Sequence, residues 1–137
     1  MSDSEAQFQE LLAHLIARVD KMLTEQGDMQ ALGLTLHADG RVEVAVGLAD
    51  SPERLSEVLN AMQTSFSQAV LRQPIKATCI AYPDYEKKAV IALLENDENY
   101  CSRITIPVLT NPTSRLDVDG IEVEDGGVYI FRVMRDT

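Results

Sequence analysis

The sequence predicts an α+β domain, in which two amphipathic helices pack against a single antiparallel sheet and a β-hairpin is appended at the C-terminal end. Three patterns lead to this prediction. Apolar residues recur at helical spacing over residues 8–23 and again over residues 55–70. Between these stretches, two runs that are apolar at every second position are joined at Asp39-Gly40. Further strand-like runs follow the second helical stretch.

The first helix is predicted to begin within residues 2–4. The Ser4 hydroxyl can accept a backbone N–H of the first turn, and Gln7 stands three residues later, as in a capping box. Gly27 favours the left-handed turn that ends many helices. The apolar residues that share one face of this helix are Phe8, Leu11, Leu12, Leu15, Val19, Met22 and Leu23.

The two alternating runs are predicted to form a hairpin whose register follows from the apolar pattern. A two-residue loop at Asp39-Gly40 would place Leu36 opposite Glu43 on the same face, which conflicts with the alternation. A three-residue loop, Ala38-Asp39-Gly40, instead places leucine opposite valine throughout. The resulting pairs are Leu36 with Val42, Leu34 with Val44 and Leu32 with Val46. We therefore predict the three-residue loop, with Gly40 at positive φ.

The second helix is predicted to start at Asp50-Ser51-Pro52, because Asp and Ser cap helices and proline is tolerated in the first turn. Pro74 lies just beyond its predicted end. Its apolar face consists of Leu55, Val58, Leu59, Met62, Phe66, Ala69 and Val70. The polar residues expected to meet water or a partner are Glu57, Asn60, Gln63 and Gln68.

Three more strands are predicted over residues 75–82, 88–95 and 101–109. Residues 89–94 are apolar at consecutive positions, which indicates a strand that is covered on both faces and therefore central in the sheet. Pro107 has no backbone N–H, so it predicts an edge, a bulge or the end of its strand.

After Asn111-Pro112 the composition becomes acidic, and this part of the chain is predicted to form the appended hairpin. Gly126-Gly127 supplies its turn, and residues 128–134 its second strand. We interpret residues 1–137 as a single domain, with the core at about 4–110 and the hairpin at about 114–135. We also expect one dry interior, in which the residues that meet are Leu34, Val44, Leu59 and Ile91.

The chain carries 22 acidic and 12 basic residues, which gives a formal net charge of -10. This charge repels phosphate backbones and anionic lipid surfaces, so neither nucleic acid nor a membrane is an expected partner. The longest uninterrupted apolar run, residues 89–94, is too short to cross a bilayer, and the polar N-terminal residues do not resemble a signal peptide. We therefore expect a cytoplasmic protein.

No catalytic, cofactor-binding or metal-binding motif stands out, and none of these sites is predicted. The candidate soft metal ligands, no two of which are close in the sequence, are His14, His37, Cys79 and Cys101. Both histidines are expected at the surface, and both cysteines are expected to be reduced and buried.

The segment Asp117-Val118-Asp119-Gly120 is superficially similar to a calcium loop. It lacks the third ligand before the glycine and the distant glutamate that an EF-hand requires. Glu122, Glu124 and Asp125 could add oxygen ligands, which leaves a weak cation site of another type open. A solvated acidic hairpin is the preferred interpretation.

The order of helix, two strands, helix and three strands resembles profilin-like and roadblock-type scaffolds in layout. A closer resemblance rests on Gly33-Leu34, Ala38-Asp39-Gly40, residues 77–82 and residues 88–95. In these stretches the chain resembles a group of small uncharacterised bacterial proteins with the same element order, over about residues 8–109. The resemblance implies the layout of the fold and no catalytic residues.

Three functions are compatible with this reading. The preferred one is a non-catalytic protein-interaction or regulatory module that forms a homodimer through an edge strand or a helix face. The second is a secretion-type chaperone for a protein client, although such chaperones usually carry a third strand before the second helix and end in a helix. The third is a small-ligand binder or enzyme with a pocket between sheet and helices, for which the candidate residues are Tyr82, Tyr85 and His37.

Overall fold

The computed structural model describes residues 3–48, 52–98, 100–110, 112–127 and 130–131. Its two long helices are α1 (Asp3–Gln26) and α2 (Pro52–Arg72). The strands are β1 (Ala31–His37), β2 (Val42–Gly47), β3 (Ile75–Asp84), β4 (Ala89–Asn96), β5 (Cys101–Leu109), β6 (Arg115–Leu116) and β7 (Glu122–Asp125). A turn of 3-10 helix, Val118–Gly120, lies between β6 and β7. The predicted α+β class and order of the main elements are confirmed.

All seven strands belong to one antiparallel sheet in the order β2-β1-β3-β4-β5. The outer edge of β5 is shared by two short strands, since β7 pairs with its first half and β6 with its last two residues. Pro107 lies between these two pairings, and its carbonyl accepts the N–H of Asp117 at 2.8 Å. The N–H and C=O of a strand residue point to the same side, so the missing N–H of Pro107 would lie at the outer edge of β5. It falls between the stretches of β5 that pair with β7 and with β6.

The β1–β2 hairpin has the predicted register. Leu36, Leu34 and Leu32 pair with Val42, Val44 and Val46, respectively. Gly40 has a φ of 91°, a left-handed conformation that residues with a side chain rarely adopt. The Asp39 carboxylate accepts the backbone N–H of Arg41 at 3.0 Å, which closes the loop. The three-residue loop is therefore confirmed.

Helix α1 covers one face of the sheet. Leu11, Leu15 and Val19 are fully buried there against apolar side chains from five strands. The sheet residues in this core are Leu32, Leu34, Leu36, Ala77, Cys79, Ala81, Val90, Ala92, Leu94, Ile104, Ile106 and Leu116. Gly27, with a φ of 76°, follows the last helical residue as predicted.

Helix α2 covers the opposite face, so the sheet is enclosed between the two helices. Its buried residues Met62, Phe66 and Val70 pack with Ile80 of β3 and with residues 130–131. Residues 89–94 are accordingly buried or nearly so, in a strand flanked by β3 and β5, which confirms β4 as central. Among the described residues, no helix has both the length and the apolar character needed to cross a bilayer.

The expectation of one common interior is wrong. Leu34 and Val44 pack on the α1 side, whereas Leu59 packs on the α2 side. Ile91 also faces the α2 side, because both of its neighbours in β4 point into the α1 core and side chains alternate along a strand. A helix on each face divides the apolar residues into two layers that the sheet separates.

The predicted capping box at the start of α1 is wrong as well. The helix begins at Asp3, within the predicted range, but Ser4 lies inside its first turn and is buried. The Ser4 hydroxyl and the Gln7 side-chain carbonyl accept hydrogen bonds from the side-chain amide of Asn96, at 2.7 and 3.1 Å. These residues therefore join α1 to the end of β4 instead of capping the helix.

The C-terminal part differs from the predicted hairpin. Strand β7 pairs with β5. The predicted second strand, residues 128–134, lies outside the described residues except for Ile130 and Phe131, which form a turn and are buried on the α2 side. The buried carboxylate of Glu95 accepts the backbone N–H of Ile130 at 3.0 Å and that of Phe131 at 3.4 Å. This buried acid holds residues 130–131 on the sheet.

Helix α2 approaches β1 closely at Gly33. A Cβ atom at this position would lie 2.5 Å from Cζ of Phe66 and 2.7 Å from Sδ of Met62. We expect Gly33→Ala to lower the free energy of unfolding by about 2 kcal/mol through overpacking, as measured by urea denaturation. In a Phe66→Leu background the ring is absent, so the same substitution should cost clearly less. An equal cost in both backgrounds would contradict the close approach.

Candidate functional site

An open groove of about 620 Å³ lies on the α2 side of the sheet. Helix α2 packs mainly on β1, β2 and β3, so the same face of β4 and β5 lies beside the helix rather than beneath it. One wall of the groove is α2, the floor includes Leu93 and Arg103, and the β3–β4 turn closes one end. This volume is within the range of known ligand sites.

The groove combines an apolar wall with a few polar groups. Leu55 and Leu59 of α2 face Leu93 of the floor across the opening, and the rings of Tyr82 and Tyr85 line it near the β3–β4 turn. The polar lining from α2 consists of Ser56, Asn60 and Gln63. Such a surface can hold an apolar group and give it a few hydrogen bonds.

The charged residues that line the groove differ in whether they form an ion pair with another described residue. Nε of Arg103 lies 3.2 Å from Oε1 of Glu124 on β7, so this cation is paired from outside the groove. Asp84 and Glu86 line the end at the β3–β4 turn, and neither forms an ion pair with a cation of the described residues. Asp84 Oδ1 accepts the backbone N–H of Lys87 at 3.2 Å, which leaves its second oxygen available. At this end the charged residues that line the groove are therefore two carboxylates, whereas Lys87 and Lys88 of the same turn do not line it.

Tyr85 separates this groove from a second cavity of about 350 Å³, which Asp28 and Lys88 also line. The Tyr85 hydroxyl donates a hydrogen bond to Oδ2 of Asp28 at 3.2 Å. Partial burial and the negative charge of Asp28 raise the pKa of Tyr85, so its hydroxyl stays protonated near neutral pH. The hydrogen bond holds the tyrosine ring in place while 54% of the residue remains exposed.

His37 is not at this groove, and the expectation that it lies at the surface is wrong. Strand β1 is buried at every position because a helix covers each of its faces. Nε2 of His37 lies 2.9 Å from Oε1 of Glu43 and 3.4 Å from the Thr35 hydroxyl, and Arg41 approaches Nδ1 at 3.5 Å. A catalytic base needs one ring nitrogen for the nucleophile and the other for an orienting acid. Here the Glu43 carboxylate and the Thr35 hydroxyl both contact Nε2, so these residues do not form such a relay.

The remaining soft ligands lie apart from the groove. His14 is exposed, as predicted, with Nε2 at 3.3 Å from Oε1 of Glu10. Cys79 is buried in β3, and burial raises the pKa of its thiol to about 12, so it carries no reactive thiolate. Cys101 is not in a disulfide with Cys79 and is only half-buried, in contrast to the prediction, because it begins β5 beside the edge strand β7.

The acidic C-terminal segment is solvated over β7, where all four residues are exposed. Glu124 pairs with Arg103, and Asp117 precedes the 3-10 turn. Within the part of the chain that the structure describes, no three His, Cys, Asp or Glu side chains converge as metal ligands would.

Two of the three candidate residues named from the sequence, Tyr82 and Tyr85, do come together at the groove. Asn60 and Gln63, expected to face water or a partner, also line it. Sequence reasoning missed Arg103, although a charged residue inside a strand that is otherwise mostly apolar was an available signal.

Comparison with known proteins adds no relative to this description. No family model, no curated protein and no solved structure matches the chain. The resemblance to small bacterial proteins therefore stays a prediction. Among the described residues, two strands separate α1 from α2, whereas secretion-type chaperones usually carry a third strand there.

Proposed function

We propose that the protein is a non-catalytic interaction module that forms a homodimer by pairing strand β2 with β2 of a second copy. The single observation that supports this function is the open edge of the sheet. β2 is the last strand of the sheet and pairs with β1 only, among the described residues. An open edge presents unpaired backbone groups on which another strand can add.

The direction of these backbone groups follows from one hydrogen bond. The carbonyl of Arg41 accepts the N–H of His37 at 2.8 Å, so the backbone groups of Arg41 point toward β1. Successive residues of a strand direct these groups to alternate sides. The N–H and C=O groups of Val42, Val44 and Val46 therefore point away from the sheet.

β2 has less of the protection that edge strands usually carry, since Glu43 is its single charged residue. It contains neither lysine nor proline. Val46 within the strand is 48% exposed, and Leu48 just after it is 78% exposed. Strand β7, the edge strand along part of β5, is Glu-Val-Glu-Asp, and its acidic side chains would repel a second copy. The contrast favours β2 as the edge that associates.

The sequence of β2 is complementary to itself in the antiparallel direction. With Val44 opposite Val44 of a second copy, Val42 faces Val46 and Glu43 faces Ala45. Valines then meet on the α1 side, and no two like charges are opposed. Six-residue strands form a small interface, so we expect a weak and concentration-dependent dimer.

A reducing compartment is part of the proposal. Cys79 and Cys101 are not joined in a disulfide, and structural disulfides are rare in the cytosol. These thiols support the cytoplasm as the place where the module works.

Sedimentation velocity over micromolar to millimolar concentrations tests the dimer. The wild type should shift from its monomer mass of 15.2 kDa toward twice that mass as concentration rises. Val46→Lys introduces a charge at the pairing edge and should raise the dissociation constant by roughly tenfold or more, because each dimer contains the change twice.

Val123→Lys is the matched control, since Val123 is 66% exposed in β7 and the substitution adds the same charge. This variant should dimerise like the wild type. A wild type that stays monomeric throughout, or two variants that associate equally well, would remove the support for pairing through β2.

A further inference from the structure

We propose that the groove beside α2 binds a segment of a partner protein, with a lysine or arginine side chain at the β3–β4 turn and an adjacent apolar side chain against Leu55, Leu59 and Leu93. This inference does not depend on dimerisation, because β2 and Arg41 do not line the groove. The proposed ligand group for Tyr82 and Tyr85 is the cationic side chain of this segment.

Charge is the first reason for a cationic group. Asp84 and Glu86 line the end of the groove without a cationic partner among the described residues, and Arg103 is paired with Glu124. Lys87 and Lys88 belong to the same turn but do not line the groove, so a cation that enters the groove would meet the two carboxylates. The net charge of -10 on the whole molecule also favours the approach of a basic segment.

The tyrosine rings are the second reason. Tyr82 and Tyr85 line the same end as the two acids, and the face of an aromatic ring attracts an ammonium or guanidinium group. The hydrogen bond from Tyr85 to Asp28 fixes one ring before a ligand arrives, so little side-chain entropy is lost on binding.

The shape of the groove favours a peptide over a small molecule. Pockets for small ligands enclose most of the ligand surface, whereas no described residue covers this groove along α2. Asn60 and Gln63 on its rim can donate to and accept from the backbone of an extended segment. The apolar wall next to the acidic end places an apolar residue close to the basic one.

Isothermal titration calorimetry at physiological salt tests the proposal with two capped hexapeptides. Both contain two central leucines, flanked by lysines in one peptide and by glutamates in the other. The lysine peptide should bind the wild type, and the double variant Asp84→Asn, Glu86→Gln should weaken binding by roughly tenfold. Asparagine keeps the oxygen that accepts the Lys87 N–H, so the turn should stay folded, which the unfolding midpoint checks.

The double variant Asp119→Asn, Glu122→Gln removes the same charge from exposed residues outside the groove and should bind like the wild type. Equal weakening in both double variants would show a response to net charge alone and would overturn the proposal. It would also fail if the glutamate peptide bound as tightly, if the lysine peptide did not bind, or if lysine amide alone bound as well as the hexapeptide.

Discussion

Replacing Asn96 with alanine is expected to lower the free energy of unfolding by about 4 kcal/mol. The Asn96 side chain is completely buried at the end of β4 and makes four hydrogen bonds. Its amide nitrogen donates to Ser4 and Gln7 of α1, and its oxygen accepts the backbone N–H groups of Glu98 and Tyr100, both at 3.0 Å. Alanine would leave several part-buried polar groups without partners, each at a cost of roughly 1 kcal/mol or more.

Urea denaturation measures this loss, and Gln7→Ala is the control. Gln7 is partly exposed and provides one of the four partners, so its loss should cost below about 1 kcal/mol. In Asn96→Ala the amides of Glu98 and Tyr100 should also exchange faster, because their acceptor is gone. A loss of stability no greater than that of Gln7→Ala would show that the junction between α1 and β4 does not depend on Asn96.

Leu15→Ala is expected to lower the free energy of unfolding by about 3 kcal/mol. Leu15 is fully buried in the α1 core, where truncation leaves a cavity that the close-packed sheet cannot fill. His14→Ala, at the neighbouring exposed position, should change stability by less than about 0.5 kcal/mol.

Combining Leu15→Ala with Phe66→Leu tests whether the two cores are separate. Phe66→Leu alone should lower the free energy of unfolding by about 1 kcal/mol, because it truncates a side chain of the α2 core. Since the sheet lies between the two sites, the loss in the double variant should equal the sum of the two single losses within about 0.5 kcal/mol. A larger coupling energy in the urea denaturation data would mean that the two sites share one packing unit. Gly33→Ala and Phe66→Leu, at two residues that lie in contact, should instead give losses that do not add.

Local patterns in the sequence were sufficient for the elements from α1 to β5 and for the register of the β1–β2 hairpin. Alternation determines which residues face one another once the loop length is chosen, and only the three-residue loop with Gly40 keeps leucine opposite valine. The consecutive apolar residues of β4 likewise identified the central strand, because only a strand covered on both faces needs them.

The distribution of the helices over the two faces was not predictable from periodicity. The apolar face of each helix specifies what it buries but not which side of the sheet it covers. For this reason Leu34 and Leu59 were assigned to one interior, although a sheet lies between them. The buried Ser4, Glu95 and Asn96 were missed for a related reason, since their hydrogen bonds join residues far apart in the chain.

The groove was half predictable. Tyr82 and Tyr85 were candidates for a pocket between sheet and helices, and both line the groove. His37 was a candidate by residue type alone, and the fold places it in a buried cluster with Glu43. Asp84 and Glu86 line a groove only because α2 packs beside the β3–β4 turn, and the local sequence does not show that packing.

Amide hydrogen exchange of β2 at low and high protein concentration tests self-association through this edge most directly. The N–H groups of Val42, Val44 and Val46 point away from the sheet, whereas those of Glu43 and Ala45 bond to β1 in either state. Protection of the three valine amides should rise with concentration while that of Glu43 and Ala45 stays constant. Valine amides that exchange at one rate at every concentration, in samples that sediment as dimers, would contradict pairing through β2.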